Sequence, residues 1–167
     1  MTNQINEELS GYVKFAKILA RNLIKKGKFD QAPIVLNSVF KFIGQEIKVS
    51  AVDLGNEDGF SVGSTIIKYN SVKPVVRQRF TVAHELGHIL MGHNTTSRVT
   101  SFDTKDPNEH CANVFASELL VPTVLIKKEC LNLESLSSLA TKYNVSKDMM
   151  MWRLKGLRLD EKIKSWE

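Results

Sequence analysis

Cysteine is nearly absent from this chain. Cys111 and Cys130 stand far apart and form no C-x-x-C pair, so no disulfide framework is implied and a reducing compartment is the simplest setting. Long apolar runs are absent too. None reaches the roughly 18 residues of a membrane span. Residues 1–8, Met-Thr-Asn-Gln-Ile-Asn-Glu-Glu, are polar and acidic and lack the pattern of a secretory leader. The expected location is therefore the cytoplasm, with no membrane partner. A large charge of one sign is also missing. The 23 Lys and Arg against 18 Asp and Glu leave a net +5, which permits an acidic partner but does not argue for nucleic acid.

What remains is ordinary globular composition. The chain has 167 residues, 43% hydrophobic and 25% charged, enough for one domain over residues 1–167 with a real core. Residues 9–28 read as an amphipathic helix with Tyr12, Ala16, Leu19 and Leu23 on its apolar line. Lys14, Lys17, Arg21, Lys25 and Lys28 form a basic line on it. A second helical stretch follows Pro33 and closes at Gly44. Residues 47–54, 60–62 and 65–69 read as short strands, separated by turns at 55–59 and at Gly63-Ser64. They predict a small antiparallel sheet. Its edge, Ile66, Ile67, Lys68 and Tyr69, is the expected seat for an extended peptide added as a strand.

The centre of the sequence is Arg79-Phe80-Thr81-Val82-Ala83-His84-Glu85-Leu86-Gly87-His88. Pro74 and Gly92 bracket it as helix start and stop. Val76, Phe80, Ala83, Gly87 and Leu90 recur at helical spacing, and Val82, Leu86 and Ile89 add a second apolar stripe. A helix apolar nearly all round is buried. His84 and His88 then share one face about 6 Å apart along the axis, where both imidazoles reach one tetrahedral zinc. Glu85 sits beside that face, placed as a general base rather than a ligand.

A third ligand is sought downstream. Asp106-Pro107-Asn108-Glu109 starts a helix, with Asp106 as cap and Pro107 at its first position. Pro122 stops it near Leu120. Glu109, Ala112, Asn113 and Ala116 share a face, and the small residues allow close packing. Glu109 is the expected third ligand, with Asn113 a turn on as hydrogen-bond partner to a ligating imidazole. A capping-box role for Glu109 is the competing reading, and Asp103 and Asp106 are weaker alternatives for ligation. Met91 and Asn94 stand where a H-E-x-x-H-x-x-G-x-x-H site needs Gly and His, which favours a carboxylate. No fourth protein ligand is evident, so the site keeps a catalytic opening. Tyr69, His93 and Arg77 are candidates to stabilise the transition state.

The last third carries two short helices around Asn144, from Leu136 and from Val145 onward. They form a C-terminal unit over residues 131–160, with a helix-turn-helix-like phrase at 139–146. Its second helix is rich in Met, Trp and Leu, which suits packing better than reading a groove. Direct nucleic-acid contact is not expected.

Three stretches together resemble the ImmA/IrrE-type metallopeptidases. They are Arg-x-Arg-Phe-Thr-x-Ala-His-Glu-Leu-Gly-His (Arg77 to His88), Glu-x-x-Ala-Asn-x-Phe-Ala-x-Glu-Leu-Leu-x-Pro (Glu109 to Pro122) and Leu-Ala-x-x-Tyr-x-Val-Ser…Arg-Leu (Leu139 to Leu154). The resemblance implies an α+β fold with a gluzincin-like core, N-terminal helices, an active-site helix pair and the C-terminal unit. It implies one zinc per chain on His84, His88 and Glu109, with Glu85 as base. It further implies a cytoplasmic bacterial, phage or mobile-element protease that cleaves a helix-turn-helix transcriptional repressor. A non-catalytic regulatory module, antirepressor or antitoxin-like, with a structural or vestigial metal site, is the other reading. The sequence does not fix the oligomeric state.

Overall fold

The computed structural model describes residues 2–93, 104–129, 135–163 and 165. The alternative ligand Asp103 lies outside these residues.

The chain opens with α1 (Thr2–Gly27) and α2 (Leu36–Ile43). Helix α1 starts earlier than apolar periodicity indicates, because a polar turn carries no such signal. Its fully buried line is Ala16, Ala20 and Ile24, whereas Tyr12 is exposed. The small alanines let α1 lie close against a neighbour, and Leu19 and Leu23 pack partly buried beside them. Helix α2 ends at Gly44, whose φ of 69° is a left-handed cap that glycine adopts freely.

Three strands follow: β1 (Lys48–Val52), β2 (Gly59–Val62) and β3 (Ile66–Asn70). Their order is β1-β3-β2, with β3 parallel to β1 and antiparallel to β2. Two expectations are corrected here. The sheet is mixed rather than antiparallel, and Ile66–Tyr69 is its central strand rather than an edge. Burial explains the order. Every residue of β1 is exposed, whereas Ile67 of β3 is fully buried, so the strand with the core residue takes the middle. Buried Asn70 locks the arrangement. Its amide donates to the carbonyls of Gly55 and Glu57 at 2.9 and 2.6 Å, and its oxygen accepts from the Val72 N–H.

The central pair is α3 (Val75–Met91) and α4 (Pro107–Leu120). Helix α3 begins after Pro74 and ends at Gly92, with φ of 70°. Helix α4 begins at Asp106, whose Oδ1 accepts the N–H groups of Asn108 and Glu109 at 2.8 and 3.2 Å. Gly87 sets their separation. A Cβ there would lie 2.9 Å from Phe115 Cδ1, so glycine permits the close approach. Helix α1 packs along the other side of α4.

The chain then forms α5 (Thr123–Glu129), α6 (Leu136–Tyr143), α7 (Lys147–Gly156) and a 3-10 turn at Asp160–Lys162. Asn144 joins α6 to α7 at φ 52°, the left-handed conformation expected of it. Ser135 and Ser146 cap the two helices through their hydroxyls. Met149, Met150 and Leu154 of α7 are buried in the same core as Phe115, Leu119 and Leu86. Among the described residues, no helix is long and apolar enough to cross a membrane.

Candidate metal centre

Residues Phe80–His88 are all buried, so α3 carries two imidazoles and a carboxylate into the core. Such groups need partners there. His84 and His88, one turn apart, put their Nε2 atoms 3.0 Å from each other. Glu109 comes from the first turn of α4, with Oε2 3.1 Å from His84 Nε2 and Oε1 3.2 Å from His88 Nε2. One donor atom from each residue lies within 4.8 Å of the others.

These spacings fit a metal. Tetrahedral zinc with Zn–N bonds of about 2.0–2.1 Å spaces its donors about 3.3 Å apart. The hydrogen-bond pattern agrees. His84 Nδ1 lies 2.9 Å from Asn113 Oδ1 and gives its N–H there, which leaves the Nε2 lone pair for the cluster. Asn113 is thus found where α4 periodicity puts it, one turn beyond Glu109.

Glu85 is 2% exposed and stands beside the cluster without joining it. Burial pushes its carboxyl above the ordinary value near 4.5, opposed by a hydrogen bond from Ser61 and the charge of His88. Ser61 Oγ donates to Glu85 Oε2 at 2.8 Å. The sequence reading missed Ser61. It lies on β2, and no local motif ties a strand serine to a helix 24 residues later. The close approach of β2 to α3 rests on Gly59, where a Cβ would meet Thr81 Cγ2 at 2.5 Å and the Lys68 carbonyl at 2.6 Å.

The three proposed transition-state groups separate. His93 reaches the cluster, its Nδ1 3.0 Å from His88 Nδ1. Burial, then the neighbouring His88, holds it below its ordinary value near 6.5. Arg77 makes a two-point ion pair with Asp58 at 3.1 and 2.8 Å, two turns back along α3 from His84. Tyr69 lines a separate cavity with Val75, Gln78 and Val82. Asp106 serves as helix cap. Glu118, on the opposite side of α4 from Glu109, is paired with Arg153 at 2.7 Å.

Two helices that converge a His-x-x-x-His pair and a carboxylate, with a second buried carboxylate alongside, have the donor set of a metallopeptidase. Residues 44–155 match the model of the IrrE N-terminal-like domain, peptidase family M78. The chain belongs to that family. No curated protein matches it.

Proposed function

We propose that the protein is a zinc-dependent endopeptidase with a gluzincin-type core, acting in the cytoplasm on a partner helix-turn-helix transcriptional repressor. One observation carries the chemistry: two imidazole nitrogens and a carboxylate converge within 4.8 Å, with Glu85 buried beside them. The family membership and the three motifs support the peptidase class and the repressor as substrate.

His84, His88 and Glu109 would hold the ion. When bound, it supplies Lewis acidity, which acidifies water to a pKa of about 7 and polarises a carbonyl oxygen. Asn113 holds the His84 ring in the orientation and tautomer that ligation needs. Glu85 takes a proton from the attacking water and returns it to the leaving amine. Its burial suits both steps, because a raised carboxyl pKa is better matched to proton transfer near neutrality. His93, held neutral, is the nearby group best placed to donate a hydrogen bond to a developing oxyanion.

The extended substrate takes the free edge of β2. That strand pairs only with β3 among the described residues and carries the serine that touches Glu85. The helix-turn-helix-like pair α6 and α7 serves packing, since α7 turns Met149, Met150 and Leu154 inward.

The test is metal content and cleavage together. Wild type purified without added metal is expected to hold about one zinc per chain. Glu109→Ala should lose it. Glu85→Gln should keep the metal and lose hydrolysis of a candidate repressor. Full regulatory activity of Glu85→Gln in cells would reject hydrolysis in favour of the binding-module reading.

A further inference from the structure

A second cavity lies away from the cluster, between the end of α1 and the start of α5. Its volume is about 760 Å³, within the range of small-molecule pockets. Ile24, Phe29, Pro122 and Val124 form its apolar wall. Arg21, Lys25, Lys28 and Lys127 supply four cations around it. Two carboxylates oppose them, Asp30 and Glu118. Glu118 is already neutralised, because buried Arg153 holds its Oε2 at 2.7 Å and Thr123 satisfies both oxygens at 3.0 and 2.8 Å. The cavity is therefore apolar inside and cationic in sum. Along α4, Glu118 stands nine residues from Glu109, about 13 Å, so the cavity is separate from the metal centre.

Arg21 is the group that reads this balance. Its Nη2 contacts Glu118 Oε2 and Thr123 Oγ1, each at 3.2 Å. Glu118 is satisfied without it. Nε and Nη1 of Arg21 have no protein partner among the described residues, and the side chain is 49% exposed. A half-exposed guanidinium with free donors, flanked by Lys25, Lys28 and Lys127 beside an apolar wall, suits a carboxylate on an apolar body, which takes a charge-assisted hydrogen bond from Nε or Nη1.

We propose that this cavity binds a small anionic amphiphile: one apolar ring or short chain carrying one carboxylate. The site is independent of the peptidase reading, and its test uses no catalytic assay.

Equilibrium dialysis of the full chain against 1-naphthoate measures it, with the neutral amide 1-naphthamide as comparison. The expected result is one saturable site with a dissociation constant of about 1 mM or tighter, and the amide weaker by about tenfold or more. Val124 is 57% exposed, so charge placed there tests the cavity without disturbing the core. Val124→Glu should weaken naphthoate binding about tenfold, Val124→Lys should preserve or tighten it, and both should keep the wild-type thermal midpoint. Absence of saturable binding overturns the proposal. So does equal affinity for the amide. Naphthoate binding unaltered by Val124→Glu would put the carboxylate elsewhere, the His84–His88–Glu109 cluster included, and would overturn it as well.

Discussion

The hydroxyl of Ser61 donates to Glu85 Oε2 across 2.8 Å, linking an edge strand to the carboxylate beside the metal centre. A carboxylate with one oxygen fixed presents the other in a defined direction. Ser61→Ala should therefore lower kcat for peptide hydrolysis while leaving KM and metal content near wild type. A hydrogen bond to a charged group contributes about 1.5–3 kcal/mol, so the fall should be about 10- to 100-fold. Ser61→Thr, which keeps the donor, should recover part of the rate. Unchanged kcat in Ser61→Ala would show that Glu85 needs no such anchor.

The contact of Asn113 with His84 makes a prediction for metal affinity rather than rate. Asn113 is fully buried and faces His84 Nδ1 at 2.9 Å. Asn113→Ala should weaken zinc binding by about 10- to 100-fold, the usual effect of losing a partner behind a ligating histidine. Asn113→Asp should bind at least as tightly as wild type, because a carboxylate accepts the same N–H more strongly. A chelator competition titration reads both. Equal affinity in Asn113→Ala would leave the His84 ring held by packing alone.

Gly87 tests whether the spacing of α3 and α4 sets the site. A methyl group there would sit 2.9 Å from Phe115 Cδ1 and 3.3 Å from its Cβ and Cγ. Phe115 is fully buried and cannot simply swing away. Gly87→Ala should cost about 1–3 kcal/mol of stability and also weaken metal binding, as Glu109 is pushed back from the histidines. Adding Phe115→Leu should restore metal affinity more than stability, since it frees the interface but leaves a void. Chemical denaturation and metal titration on the single and double variants separate the two effects.

Much of this centre was legible because its signals are local. His84, Glu85 and His88 occupy five consecutive positions, and helical periodicity alone puts the imidazoles on one face. Asp106 and Pro107 announce the start of α4, which fixes where Glu109 and Asn113 face. What was not legible depends on contacts distant in sequence. The order of the strands follows from which strand buries Ile67, and alternation in five residues does not show that β3 enters between β1 and β2. Ser61 is another such case, for its role exists only once Gly59 lets β2 press on α3. The helix α5 was missed because it is short and follows Pro122 directly. On α1 the apolar line was right at Ala16, Leu19 and Leu23 but wrong at Tyr12, and it missed Ala20 because alanine is a weak apolar signal, although its size is what close helix packing requires.

Glu118 and Arg153 provide the clearest pH dependence. They are 1% and 4% exposed and lie 2.7 Å apart, with Arg21 as a second cation at 3.2 Å. Burial alone would raise the Glu118 carboxyl, but the charge of Arg153 and hydrogen bonds from Thr123, Arg21 and Arg153 outweigh it and hold it below its ordinary 4.5. A carboxyl with a depressed folded-state pKa stabilises the fold above its unfolded value. That contribution disappears as pH falls through the lower folded-state value. Glu118→Gln leaves Arg153 buried without a counter-charge. At neutral pH it should be less stable than wild type by about 3–5 kcal/mol, the cost of removing one partner of a buried pair. As pH falls below 4.5 the unfolded chain takes up the proton first, and the folded carboxyl follows only at its lower value, so across that window the difference between the two proteins should shrink. Urea denaturation midpoints measured across the acid range test this. A gap that begins to close below pH 4.5 and closes as pH passes the lower folded-state value is the expected result, and a gap that stays constant from neutral to acid pH would mean that Glu118 acts through its shape and not its charge.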